Sequence, residues 1–478
     1  MVSGAGRRTF LIGAGSAAAL ALGAGPAAAR AGSADAMAAR ILAGVRAPRF
    51  PRRRVVITDY GAVGDGTTDC TEAIRDAIAD CARAGGGHVV VPPGDFLTGA
   101  VHLRDRIDLH LTAGGTLRFS RDPAAYLPVV YTRYEGIECY NYSPFIYARG
   151  CRNIAVTGSG TIDGQADATH WWDWTKGPGG TAPSPERVDK DQLNAWGDRD
   201  VPVEERVFGG GHHLRPNLIQ FYDCRDVLIE GVTVKDSPMW NIHPVLCRNV
   251  TVRGVTVESP SGPNNDGCNP ECCSFVLIQD CVFNTGDDCI AFKAGRNADG
   301  RRVGVPCRYA LVENCEMRDG HGGVTIGSEM TGGVSDILAR NCRMDSPDLD
   351  RALRIKSNPL RGGYVRDIVF RDITVGTVGD SVIEIALDYE GIDAGPHYPD
   401  VRGIEVHGLT AETGPLAWYF IGNEANPVRD VLLDDCTFAA MEEPYVMENV
   451  EGLVLRGVTI NGEPVHGDGA AGEDVSAT

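Results

Sequence analysis

The chain has 478 residues, 43% of them hydrophobic, enough for one very large domain or about three of ordinary size. It carries 45 Lys and Arg against 64 Asp and Glu, a formal charge of -19, which argues against a nucleic-acid binder that lives on phosphate neutralisation and against a polybasic membrane-surface protein. Its 60 glycines follow no three-residue period, so many tight turns are expected and not a collagen-like rod.

At the start, Arg7-Arg8-Thr9-Phe10-Leu11 precedes a Gly, Ala and Leu run ending near Ala27-Ala28-Ala29-Arg30-Ala31. Residues 1–31 read as a twin-arginine secretion signal, so the expected location is extracellular. The apolar stretch 10–22 is shorter than the roughly 20 residues a span needs, and no membrane insertion is expected. From Gly32 on, 42 basic residues face 64 acidic ones, a charge of -22. Further along, Asp69 with Glu72 predicts a capping box. Ile74, Ala77, Ile78 and Cys81 form the apolar stripe of a short helix that Gly85-Gly86-Gly87 ends.

Beyond this helix one pattern recurs. Segments 227–232, 250–255 and 276–281 align as copies, and the pattern returns at 310–315, 337–342, 368–373, 404–409, 431–436 and 453–458, with starts 22 to 36 residues apart. Such periods indicate a solenoid, and short β-branched runs without helical periodicity make it a β-solenoid. Runs 154–158 and 89–92 extend it toward the N-terminus. The expected fold is all-β: a right-handed parallel β-helix over 55–462, whose N-terminal mouth the short helix plugs. Between about 164 and 216 the repeat lapses into an insertion holding Trp171, Trp172, Trp174 and Trp196, far longer than ordinary loops. Residues 463–478 read as a disordered tail.

The 15 cysteines leave disulfide pairing open. Asp280-Cys281, Asn314-Cys315, Asn341-Cys342 and Asp435-Cys436 share one frame after a β-rich run, which favours stacked buried thiols over metal ligation. Cys268, Cys272 and Cys273 have no second C-x-x-C partner, so no structural metal is expected.

Three consecutive coils carry Asn264-Asn265-Asp266-Gly267, Gly286-Asp287-Asp288-Cys289 and Gly320-His321-Gly322, and a fourth adds Arg354-Ile355-Lys356. Like offsets in successive coils stack about 4.8 Å apart. Asp287 and His321 share an offset, and Asp266 is expected on the same face. Three gathered carboxylates repel, and glycoside hydrolysis, which uses one carboxyl protonated and one ionised, gives them a purpose. Each motif alone is also an ordinary turn, and calcium ligation is the competing chemistry.

These four motifs in this order resemble the polygalacturonase family, glycoside hydrolase family 28. The opening 59–69, Asp-Tyr-Gly-Ala-Val-Gly-Asp-Gly-Thr-Thr-Asp, is similar to the N-terminal segment of many pectin-active β-helices. The resemblance implies inverting hydrolysis of α-linked galacturonate, with Asp287 as general acid, Asp266 and Asp288 activating water, and His321 supporting the acid. It implies that Asn264 positions substrate and that Arg354 and Lys356 bind a galacturonate carboxylate. Lys293 and Tyr389 are further candidates for the cleft, and equally an exposed strand residue and a packed aromatic. The family's usual Asn-Thr-Asp reads Asn264-Asn265-Asp266 here, so Asn265 is expected to meet a different sugar substituent. The stretch 322–330 and the tryptophan-rich insertion resemble exo-acting bacterial members. No cofactor is implied. The expected partner is a pectic polysaccharide, polygalacturonate or its oligomers, met by a monomer. A calcium-dependent polysaccharide lyase and a non-catalytic polysaccharide-binding solenoid are the alternatives on the same scaffold.

Overall fold

The repeated segments become in-register strands of one parallel sheet. Val227 pairs with Val250, then in succession come Val276, Ala310, Ile337, Ile368, Ile404 and Val431. The computed structural model describes residues 26–177 and 183–466, and among them this sheet has 14 strands, from Arg54–Val56 to Val454–Arg456. The twin-arginine motif and residues 467–478 of the expected tail lie outside the described residues.

Sequence explains the register. Alternate residues such as Val227 and Ile229 point inward and are fully buried. The residue before each repeat is left-handed, and is mostly Asn or Asp, which tolerate that region: Asn153, Asp226, Asn249, Asp336, Asp367 and Asp430 have φ between 51° and 61°. Phe275 and Tyr309 share the position at φ 59°. At the far end of the strands, left-handed Asp280, Asn314, Asn341 and Asp435 turn the chain and send the following cysteine inside. All 15 cysteines are free thiols, 14 of them buried.

Each coil continues into a short second strand, such as Val282–Thr285, and a third, such as Ile290–Phe292, before rejoining the large sheet. The result is a right-handed parallel β-helix, with the handedness parallel crossovers adopt. One core runs through it from Ile57 to Ile460. The capping helix is Thr71–Arg83 and buries Ile74, Ala77, Ile78 and Cys81. Its start differs from the expected capping box: Asp69 accepts from Thr71 N at 2.9 Å, while Glu72 pairs with Arg75.

Two ends also differ from expectation. Helix Pro26–Gly44, which begins inside the segment read as a secretion signal, lies on the outside of the large sheet. There Ala34, Ala38 and Ile41 cover Leu277, Leu311, Leu338 and Val369, an outward apolar column that in-register stacking makes continuous. At the C-terminal end, Glu463–Pro464 pairs antiparallel with Thr459–Ile460, so the first residues of the expected tail close the last coil as a hairpin.

Two additions flank the tube. One is a hairpin of Val130–Tyr134 and Ile137–Asn141. The other is the insertion, whose helix Pro185–Asp198 starts at Ser184, the cap that accepts from Arg187 N. Trp171 and Trp172 are buried in the main core, and Trp196 packs on Phe208. The tryptophans therefore anchor the insertion.

Candidate active site

The motif residues come together on the third strands and the turns before them. Ile290 pairs with Val324, which sets His321 over Asp287, and Thr325 pairs with Arg354 one coil on. Cys268 bridges Ile290 and Gly267 N donates to Asp288 O at 3.0 Å, so Asp266 stacks beneath Asp288. One carboxylate oxygen from each of Asp266, Asp287 and Asp288 lies within 4.8 Å of the others. Gly286 permits the turn, because a Cβ there would meet Gly262 O.

The three differ in access and partners. Asp266 and Asp288 are 3% and 1% exposed, whereas the Asp287 side chain is 16% exposed and half-exposed His321 reaches it at 3.2 Å. Asn269 Nδ2 donates to Asp266 Oδ2 at 2.7 Å. Asp288 accepts from Lys356 Nζ at 2.7 Å and Thr325 Oγ1 at 3.0 Å.

Burial and the neighbouring Asp287 charge push the Asp266 pKa well above the ordinary carboxylate range. Burial acts on Asp287 in the same sense, but the hydrogen bond from His321 with the charges of Lys356, His321 and Lys293 overcomes it and holds that carboxyl low. The same bond raises His321 against its own burial. Of these two carboxyls, Asp266 is the one pushed toward its protonated form.

Of the other expected residues, Asn264, Lys293, Lys356 and Tyr389 line the cavity beside the triad. Asn264 is left-handed and accepts from Arg215 Nη2 at 2.8 Å. Lys293 is buried, bonded to Glu329 at 3.0 Å and lying over the Trp240 ring at 4.6 Å. Arg354 is set back, with Nε on Glu384 at 2.7 Å and Nη1 at 3.5 Å from Asp288. The expectation for Asn265 is overturned: its side chain is fully buried and donates to Ser237 O and Met239 O at 2.9 and 3.1 Å, away from any sugar.

Sequence reasoning missed several wall residues. Trp240 precedes strand Ile242–Val245 at the offset that Asp266 and Asp288 hold in their coils, a signal that was there to be used. Glu329 lies in the stretch 322–330 already singled out. Glu135, at the tip of the hairpin, had no signal, whereas Lys190 lies on the helix of the long insertion already singled out. Lys190 pairs with Glu135 at 2.6 Å, and Arg296 joins Glu135 at 3.0 Å. Gly136 allows that contact: at φ 84° it comes so close that a Cβ would lie 2.8 Å from Arg296 N.

A divalent ion fits this cluster poorly. Calcium takes six to eight oxygen ligands. Here the ammonium of Lys356 holds Asp288, and that of Lys293 lies 3.8 Å from Asp266. What the arrangement offers is three gathered carboxyls, with Asp266 pushed toward its protonated form and Asp287 held low, beside the cations Lys293, Lys356, Lys190 and Arg296.

Residues 205–460 match the family model described as Glycosyl hydrolases family 28. The chain belongs to glycoside hydrolase family 28. This family 28 enzyme is 30% identical over 418 residues to a probable polygalacturonase of Vitis vinifera, covering 83% of this chain and 77% of that one. It is 29% identical over 354 residues to an exo-poly-alpha-D-galacturonosidase of Dickeya chrysanthemi, covering 70% of this chain and 57% of that one. Its fold superposes on a hyperthermoactive exopolygalacturonase from Thermotoga maritima with TM-score 0.85 and 45% identity, over 90% of this chain and 96% of that one. Residues 54–110 match a second description, Rhamnogalacturonase A/epimerase, pectate lyase-like, which covers the opening 59–69. The family 28 match contains the triad, His321, Arg354 and Lys356, whereas Glu135 and Lys190 lie before it.

Proposed function

We propose that this glycoside hydrolase cleaves α-1,4-galacturonide bonds of pectic polysaccharide from one chain end, with inversion. The triad carries the reading: three gathered carboxyls, one pushed toward its protonated form and only Asp287 open to a substrate oxygen. Asp287 delivers the proton to the leaving glycosidic oxygen, and Asp266 and Asp288 activate the attacking water. Turnover requires the proton on Asp287 and Asp266 ionised, an exchange that substrate binding must drive between carboxylates whose oxygens lie within 4.8 Å. His321 holds Asp287 in line. Lys293, Lys356 and Arg296 supply donors for sugar carboxylates, with Arg354 steadying Asp288 behind them, and Trp240, Asn264 and Tyr389 complete the cavity.

Attack from a chain end is supported by the wall of Glu135, Lys190 and Arg296, and by the likeness to the Thermotoga exopolygalacturonase. Arg7-Arg8 and the apolar run after them support export by the twin-arginine route. A wall and triad from one chain support action as a monomer. Chromatography over time on polygalacturonate tests the activity. Monogalacturonate should dominate from the first points with a β anomeric proton signal; an ultraviolet-absorbing unsaturated product would make the enzyme a lyase, and early mixed oligomers would make it endo-acting.

A further inference from the structure

Lys293, Arg354 and Lys356 are each matched to a carboxylate of their own, so in a chain of charge -19 they offer little surplus attraction for a polyanion. A surplus exists on another face. The outer helix ends at Gly44, whose missing side chain lets it close on the Phe275 ring. From there residues 45–53 run back along the outside of the large sheet as a strap. Asn249 binds both backbone groups of Arg46, each at 2.8 Å, and Asn153 Oδ1 accepts from Arg49 N at 3.1 Å. Residues 40–54 hold Arg40, Arg46, Arg49, Arg52, Arg53 and Arg54 and no acid.

Beside the strap, the first residues of successive strands form an exposed arginine column. Arg152 pairs with Arg225 and Arg225 with Arg248, and Arg308 follows across Ser274. Strap and column enclose a cavity of about 500 Å³ lined by Arg40, Arg46, Arg225 and Arg248, with Asp226 and Phe275. Arg40 holds Asp336 at 3.4 Å and Arg248 lies over the Phe275 ring at 4.9 Å, but among the described residues no carboxylate lies within ion-pair distance of Arg46, Arg152, Arg225 or Arg248. Asp226 instead accepts from Asn249. Elsewhere on the same sheet Arg253, Arg340, Arg371 and Arg429 each hold an Asp or Glu.

Unpaired like charges around one cavity repel, and nothing in folding asks for them in so acidic a chain. A guanidinium is a planar fork suited to a carboxylate, and a column repeating about every 4.8 Å suits a polymer that carries one carboxylate per sugar. We infer that this strap and column form a second, non-catalytic binding track for a carboxylate-bearing polysaccharide, on a sheet that holds none of the triad. The inference rests on the reading that polygalacturonate is the substrate, whose uncleaved length the track would hold.

Retention on immobilised polygalacturonate tests it, using the full chain with Asp287→Asn to stop turnover and saturating trigalacturonate to fill the cleft. Retention should persist with the cleft filled and weaken about three- to tenfold when Arg225→Gln and Arg248→Gln are added. In the active enzyme the same pair should leave kcat/KM on trigalacturonate within about twofold, since neither side chain meets the cleft. Unchanged retention after the two substitutions, or its loss on filling the cleft, overturns the track; so does equal retention on duplex DNA. Cleavage of trigalacturonate is scored separately, so a failed hydrolase reading appears in that assay and a failed track in retention.

Discussion

Asp266 and Asp287 are separated in role by their surroundings: one is buried with an amide partner, the other open and held by an imidazole. Asp287→Asn should keep the fold and lower turnover at least about 100-fold, the lower bound of a general-acid contribution, as initial rates beside a circular dichroism spectrum would register. Asp266 has the opposite signature. Its pKa is higher folded than unfolded, so its contribution to stability is full below the ordinary value of 3.8 and is lost as pH rises through the raised folded value. Asp266→Asn should therefore raise the melting temperature near neutral pH and leave it nearly unchanged near pH about 3, while abolishing activity. Asn265→Thr separates a structural residue from a sugar contact. With two buried hydrogen bonds to Ser237 O and Met239 O lost, urea unfolding should show a cost of about 1–3 kcal/mol, with the product pattern unchanged.

Hairpin tip and insertion helix are the elements that wall one side of the cavity. They meet through Glu135, which Lys190 and Arg296 share, and the contact depends on a tip without a side chain at Gly136. Gly136→Ala brings both a left-handed alanine and an overlap with Arg296 N, so the tip must withdraw. The expected result is a KM for trigalacturonate raised about three- to tenfold with kcat changed less than about twofold, because uniform binding is lost and the triad is untouched. Longer products at early times would accompany it. The hairpin was not legible in the sequence, because it lies outside the repeat; the insertion was, but its meeting with the hairpin is set by the tertiary path of 130–141 and 185–198. The coils, by contrast, were legible, since their copies repeat a β-rich run that stacks in register, most of them entered through a left-handed Asn or Asp.

Across the whole molecule the charges divide by face. The cavity beside the triad is lined by six carboxylates and four cations, and the arginines without an ion-pair partner sit along the outside of the large sheet. Activity on polygalacturonate should peak at mildly acidic pH and fall on the alkaline side as Asp266 loses the proton the triad shares and His321 loses its own. Because Lys356 and Lys293 fill the positions a divalent ion would need, EDTA should change the rate by less than about 20% and added calcium should not raise it. A chelator-sensitive, alkaline optimum would contradict the hydrolase assignment of roles.

The sequence by itself determined the solenoid, its register and the face on which Asp266, Asp287, Asp288 and His321 meet, because in a stacked coil an equal offset is a spatial neighbour. It determined the capping helix and the stacking of buried cysteines for the same local reasons, while that they are free thiols came from the structure. Only the tertiary structure decided which carboxyl holds the proton, since that depends on which acid lies deepest and which meets His321. It also decided that Asn265 faces inward, that Arg354 is tied to Glu384, and that an outer helix and an arginine strap cover the large sheet. Those outcomes turn on burial and on contacts between segments of unrelated sequence, which no repeat encodes.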